Sequence, residues 1–84
     1  MTARPIKRSL TLHGHRTSVS LEGPFWQEFR RIADARGMSV NELAGLVDTE
    51  RGMSSGLASA IRVFVLEEAL RHSRSDRIAA QSDR

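Results

Sequence analysis

The chain contains no cysteine, only two prolines and one tryptophan, and aromatic residues make up 5% of it. Without cysteine no disulfide can brace the fold, and the thiolates that structural zinc sites commonly use are missing. Long apolar runs are absent too. The most apolar stretch, residues 60–66, is interrupted by Arg62 and is far too short to cross a bilayer. The opening MTARPIKRS is basic, but no apolar run of signal-peptide length follows it, so a soluble cytoplasmic protein with no membrane contact is expected. No glycine-rich phosphate loop and no recognisable spacing of nucleophile, base and orienting residue is present, which argues against an enzyme and against a cofactor. At 84 residues the chain is one small domain. A lone chain of that size buries only about 60% of its unfolded surface, so its core is marginal. With disulfides and metal unavailable, the usual remedy is a partner subunit, and a homodimer (with a higher oligomer left open) is expected.

What is present is an uneven distribution of charge. The formal net charge is +3, yet residues 1–16 hold Arg4, Lys7, Arg8 and Arg16 with no acid, while residues 17–72 hold eight acids against six bases. A positive field concentrated at one end favours a polyanion, and nucleic acid is the commonest in a cell. The bland alternative is a solvated basic leader over residues 1–6.

Residues 8–21, RSLTLHGHRTSVSL, alternate apolar and polar in two halves that are out of phase. Leu10 and Leu12 are even-numbered, Val19 and Leu21 odd-numbered, so one straight strand would place the two pairs on opposite faces. Strands over 8–13 and 16–21 around a Gly14-His15 type II′ turn remove the conflict, pairing Leu10 with Val19 and Leu12 with Thr17. Ser9, Thr11, His13, Arg16, Ser18 and Ser20 then share the outer face. A reading that keeps only residues 16–21 as strand, with a flexible arm before them, also fits. His13 and His15 flank a glycine without the further ligands a zinc site needs, so no metal site is expected.

Three helices follow. The first, over 24–36, opens at Pro24, carries Phe25, Trp26, Phe29, Ile32 and Ala33 at helical spacing, and stops at Gly37. The second, over 39–50, begins with the capping box Ser39-Val-Asn-Glu42, and Met38 can staple onto Leu43. The third, over 54–72, is led by Ser54-Ser55 and carries Leu57, Ala58, Ile61, Phe64 and Val65, with Val63 and Leu66 widening its apolar stripe. A helix apolar around most of its circumference needs cover on two sides, which suggests a subunit interface. Arg62 inside that stripe reads as a paired interface charge or a phosphate contact. Trp26 reads as a core or interface anchor, the alternative being a small pocket shared with Arg16 and Glu22. Residues 73–84 have little to bury and read as a disordered tail, leaving one domain over 7–72.

The string Lys7-Arg-Ser-Leu-Thr-Leu-His-Gly-His-Arg-Thr-Ser-Val-Ser-Leu-Glu22, then Phe25-Trp26, then Arg31-Ile-Ala-Asp-Ala-Arg-Gly-Met-Ser39, and Ser54-Ser-Gly-Leu-Ala-Ser-Ala-Ile-Arg62, resembles the ribbon-helix-helix superfamily of the Arc and methionine repressors. It is similar in particular to a bacterial group of short ribbon-helix-helix-domain proteins. The resemblance covers roughly residues 7–70. It implies a mainly α fold with a short N-terminal β-ribbon, forming an intertwined dimer whose ribbon enters the major groove of double-stranded DNA. Here the pattern carries one helix more than the superfamily's usual two. Carried over by position, the outward readers are Arg16, Ser18 and Ser20, and Ser54-Ser55 (or else Ser39) starts the helix that faces a phosphate. Arg4, Lys7 and Arg8 would add phosphate attraction. Leu10, Leu12, Val19, Leu21, Trp26, Phe29, Ile61, Phe64 and Val65 would form the core and dimer interface. The implied function is a small transcriptional regulator. The competing reading keeps the dimer but makes it an interaction or small-ligand-sensing module, with an effector molecule conceivable in either case; the short serines favour it.

Overall fold

The computed structural model describes residues 4–51 and 56–82. Two strands, β1 (Pro5–Leu12) and β2 (His15–Glu22), are followed by three helices, α1 (Gly23–Ala35), α2 (Val40–Arg51) and α3 (Leu57–Ser82). The strands form a two-stranded antiparallel ribbon. Because β1 pairs with β2 of the same chain, neither strand requires a second copy to complete the pairing.

The turn differs from the sequence expectation by one residue and the register by two. Leu10 pairs with Thr17 and Leu12 with His15, so the loop is His13-Gly14 rather than Gly14-His15. Both loop residues have positive φ, 53° at His13 and 80° at Gly14. That is the requirement of a type I′ turn, whose twist matches that of the flanking strands. Histidine tolerates this left-handed conformation better than most residues, and glycine adopts it freely. Contacts with α2 reward the choice. The His13 ring packs over Gly45, with its Cε1 3.7 Å from where a Cβ would stand there. Its Nε2 lies 3.4 Å from the Thr49 hydroxyl. Nearby, the Thr11 backbone N–H donates to Asn41 Oδ1 at 3.0 Å.

β1 also starts at Pro5, inside the segment expected to be a free arm. The earlier start follows from the register: a loop at His13-Gly14 places Ile6 and Lys7 opposite Leu21 and Ser20. At the other end, α3 continues to Ser82 through the segment expected to be a tail. Nothing between Leu57 and Ser82 is glycine or proline, so no residue there breaks the helix.

The helix starts and stops have local causes. Glu22 caps α1 in extended conformation, and Pro24 sits in its first turn, where a missing N–H costs nothing. The helix ends in a Schellman arrangement: Gly37 has φ 67°, its N–H reaches Asp34 O at 3.0 Å, and the Met38 N–H reaches Ala33 O at 2.9 Å. The capping box of α2 is reciprocal, with Glu42 N–H on Ser39 Oγ at 3.0 Å and Ser39 N–H on Glu42 Oε1 at 2.8 Å.

The core lies between the inner face of the ribbon and the helices. Leu10, Leu12, Val19 and Leu21 meet Phe29, Ile32 and Ala33 of α1, Leu43, Ala44 and Val47 of α2, and Ile61 and Val65 of α3. Phe29 is fully buried and its ring meets Phe64 edge-on, with centroids 6.0 Å apart. Burying a side chain of that size contributes about 1.5–3 kcal/mol. Trp26 and Phe64 are partly buried against the same cluster. Across the helices, Arg36 lies over the Phe64 ring at 5.2 Å and pairs with Glu68 at 2.6 Å, joining the end of α1 to α3. The ribbon therefore rests on α2 beneath β1, and on α1 and α3 beneath β2. Its other face is left to solvent.

Candidate nucleic-acid interface

Side chains alternate across a strand, so the residues between the buried leucines and valine point away from the helices. On β1 these are Pro5, Lys7, Ser9 and Thr11; on β2 they are Arg16, Ser18, Ser20 and Glu22. Cross-strand pairs set Lys7 beside Ser20, Ser9 beside Ser18, and Thr11 beside Arg16. All six are exposed. The result is a narrow polar strip with a cation toward each end and hydroxyls between. Four strand residues separate the Lys7 and Arg16 levels, about 13 Å.

The single carboxylate on this face is neutralised within the chain. Arg62 of α3 donates from Nε to Glu22 Oε1 at 2.9 Å and from Nη2 to Glu22 Oε2 at 3.1 Å. A further bond runs from Nη2 to Ser20 O at 3.3 Å, and the guanidinium lies 5.9 Å from the Phe25 ring centroid. The Arg62 hydrogen bonds, and after them the Glu22 backbone N–H, hold the Glu22 carboxyl below its ordinary value of 4.5. Arg62 is thus a paired charge inside one chain. It fastens the open end of the ribbon as Asn41 and Thr49 fasten the turn end.

The other residues singled out from the sequence fall in different places. Arg4 is exposed just before β1. Arg8 belongs to the opposite face: it pairs with Val19, is half-buried, and lies over Trp26 at 5.3 Å from the ring centroid. Its Nε is buried without a hydrogen-bond partner among the described residues. Strand parity foreshadows this, since Arg8 is even-numbered like Leu10 and Leu12, whereas charge alone groups it with Arg16. Trp26 stacks on Arg8, and Arg16 stands near the turn on the far face of the ribbon, so Trp26, Arg16 and Glu22 do not converge on one pocket. Ser54 and Ser55 lie outside the described residues. The Ser39 hydroxyl and N–H are both engaged by Glu42. Asn41 and Thr49, which fix the hairpin, carry no sequence signal of that role, because their partners are 30 and 36 residues away.

Among the described residues no helix is long and apolar enough to cross a membrane, and no group of three histidine or acidic side chains could hold a metal ion.

Comparison with known proteins gives a consistent picture. The family described as the ribbon-helix-helix domain matches residues 5–69, from the start of β1 well into α3. Among solved structures, an uncharacterized protein from Bordetella pertussis Tohama I is similar to this chain, with a TM-score of 0.72 and 36% identity. The match covers 84% of this chain and 60% of that one, so the chain spans less than two thirds of its neighbour's length. No curated protein matches the chain.

Proposed function

Because this chain belongs to the ribbon-helix-helix domain family, we propose that it is a dimeric, cytoplasmic DNA-binding protein, a small transcriptional regulator that lays its ribbon in the major groove of double-stranded DNA. The observation that carries this reading is the outer strip of the ribbon. It is exposed and hydroxyl-rich, has a cation toward each end, and its one acid is tied to Arg62. A two-stranded ribbon fits the major groove, which is about 12 Å wide. Arg16 is the long side chain able to make two hydrogen bonds to guanine O6 and N7. Ser9, Thr11, Ser18 and Ser20 reach only base edges that come close to the strand. Lys7 and Arg4 would take phosphates and fix the ribbon's register on the duplex. Arg8, packed on Trp26, contributes to the field rather than to base contact. In this reading the part is regulatory rather than catalytic.

The test is retention of fragmented genomic DNA by the purified protein at about 150 mM salt, near physiological ionic strength, followed by sequencing of what is held. A few enriched loci with two similarly spaced half-sites are the expected result. Uniform retention would reduce the function to non-specific attraction by the basic strip. No retention by a folded protein would overturn the reading and point to the ligand- or protein-binding module instead.

A further inference from the structure

The turn end of the ribbon is held against α2 by Asn41, Gly45 and Thr49, which stand four residues apart and so form one row along a single helix face. The Thr11 N–H donates to Asn41 Oδ1 at 3.0 Å, the His13 ring lies over Gly45, and His13 Nε2 is 3.4 Å from Thr49 Oγ1. The Thr49 hydroxyl gives its one proton to Gly45 O at 3.0 Å, so toward His13 it accepts and Nε2 is the donor. Asn41 belongs to the first turn of α2, whose backbone the reciprocal bonds of Ser39 and Glu42 fix in place.

The bond to Thr11 falls at a particular level of the ladder. Opposed residues of an antiparallel ribbon alternately exchange two hydrogen bonds and none. Thr11 spends its N–H on Asn41, off the edge of the ribbon, so the level it shares with Arg16 is one that the strands themselves do not tie. Arg16 thus stands beside the turn on a rung without cross-strand hydrogen bonds, and Asn41 supplies the anchor that the rung lacks. A two-stranded ribbon is marginal alone and twists more strongly than a wider sheet, so the place of its end depends on what it is fastened to. The two kinds of DNA contact differ in how much this matters. Attraction to phosphates tolerates a small displacement of a cation. Two hydrogen bonds from one guanidinium to guanine O6 and N7 need it held to within about 0.5 Å.

We propose that Asn41 is a specificity-determining residue that acts through Arg16: it positions the Thr11–Arg16 rung, and discrimination among DNA sequences depends on it although the base contact belongs to Arg16. This rests on the DNA-binding reading above and deepens it, adding to the recognition strip a positioning residue on α2. Gly45 and Thr49 continue the same row and hold the turn beyond that rung.

Binding is to be compared for the native chain, Asn41→Ala, Arg16→Ala and the double variant, on a site selected from genomic DNA and on that site with its guanines changed one at a time. Asn41→Ala should narrow the ratio of affinities about three- to tenfold, the effect of one lost hydrogen bond. Affinity for unrelated DNA and its salt dependence should stay native. In the Arg16→Ala background the same substitution should change the ratio no further. Asn41→Asp keeps an oxygen for the Thr11 N–H and should restore the ratio, with a uniform, salt-dependent drop in affinity from its added charge. Hydrogen exchange at the Thr11 amide should be slow in the native chain and in Asn41→Asp, and faster in Asn41→Ala. Asn41 is exposed, so helical content should be retained throughout; Asn41→Gln, whose longer side chain misplaces the acceptor, should behave as Asn41→Ala does and decides the matter if the alanine variant fails to fold. A substituted chain that discriminates as well as native, or one whose loss persists in full without Arg16, would overturn the positioning role while leaving DNA recognition standing. A folded native chain that binds no DNA, with its Thr11 amide still protected, would overturn the DNA-binding reading and this role with it.

Discussion

On the helix side of the ribbon Leu10, Leu12, Val19 and Leu21 are buried, whereas one residue along each strand Ser9, Thr11, Ser18 and Ser20 stand in solvent. The two sets share a backbone, a register and a turn, yet they answer to different demands. The inner set is held by the volume it fills. The outer set is exposed rather than held by core volume, which is why its side chains are free to serve recognition. In a two-stranded ribbon a shift of one position therefore separates stability from binding, and substitutions at neighbouring residues can test that separation.

The largest effect is expected from Leu21→Ala. Leu21 is fully buried, and truncating a leucine in such a site costs about 2–5 kcal/mol, a large part of the stability of a chain this small. Its thermal transition should fall far below that of the native protein. Ser20→Ala, next to it, should stay within about 0.5 kcal/mol of native, since exposed substitutions without packing or capping roles rarely do more. The backbone carbonyl that Arg62 reaches is unchanged in that variant. Comparable destabilisation by both substitutions would mean the outer face is packed against something, and the contrast between faces would fail.

Arg16 and Arg8 sharpen the same contrast, because both are cations on the ribbon and only their faces differ. Arg16→Ala should leave the melting temperature near native and cost about 1–3 kcal/mol of binding to a selected DNA site, roughly ten- to a hundredfold by titration. Arg8→Ala should do the opposite, removing the guanidinium from Trp26 and lowering stability by about 1 kcal/mol. Its preference among DNA sequences should be unchanged. Equal loss of sequence preference in both variants would show that the inner face reaches DNA as well.

Gly14→Ala is expected to be milder than Leu21→Ala. No atom lies within 4 Å of where the added Cβ would stand, so the penalty is the left-handed backbone itself, φ 80°, about 1–2 kcal/mol. Asparagine tolerates that region, so Gly14→Asn should recover much of the loss. The positions either side fix the turn. His13→Gly should relieve its positive φ, whereas His15→Gly should weaken a paired strand residue. Because His13→Gly also gives up the ring's contacts with Gly45 and Thr49, the loop position is decided by His15→Gly: a variant as stable as native in thermal melts would restore the loop at Gly14-His15.

That turn also shows where sequence reading stops. The phase switch between Leu12 and Val19 makes a hairpin legible, and with it the set of inward residues. Moving the loop by one residue changes the pairing by two and leaves every side chain on the same face, so alternation cannot distinguish the two registers. What decides between them is Gly45, Thr49 and Asn41, which sit on a helix distant in sequence. The ends of α1 and α2 are legible because Gly37 and the Ser39–Glu42 box act within a turn or two of the boundary they set. The end of α3 is not, because low hydrophobicity reads as disorder where no residue actually breaks a helix. For the recognition strip, parity marks Arg16, Ser18 and Ser20 as outward. It says nothing of the bond between Glu22 and Arg62, 40 residues apart, that removes the strip's negative charge.

The smallest effect expected is a response to acid, and it divides between two carboxylates. Ser39, through its backbone N–H and then its hydroxyl, holds Glu42 below its ordinary 4.5, and the Arg62 hydrogen bonds do the same for Glu22. Since both folded-state values are depressed, the unfolded chain takes up these protons more readily. The stability they contribute is therefore full above about pH 4.5 and is lost as the pH falls through the lowered folded values. Melting temperatures followed from about pH 6 to about pH 3 should decline over that window. Glu42→Gln can still accept the Ser39 N–H but cannot titrate, so its decline should be shallower while DNA binding near neutral pH is unchanged. Glu22→Gln should also flatten the decline, but it weakens the hold of Arg62 on the ribbon and exposes a guanidinium beside the strip. It should therefore change the salt dependence of DNA binding as well. An identical response in the two variants would mean that Glu22 serves only to hold Arg62 and that the recognition strip does not feel its charge.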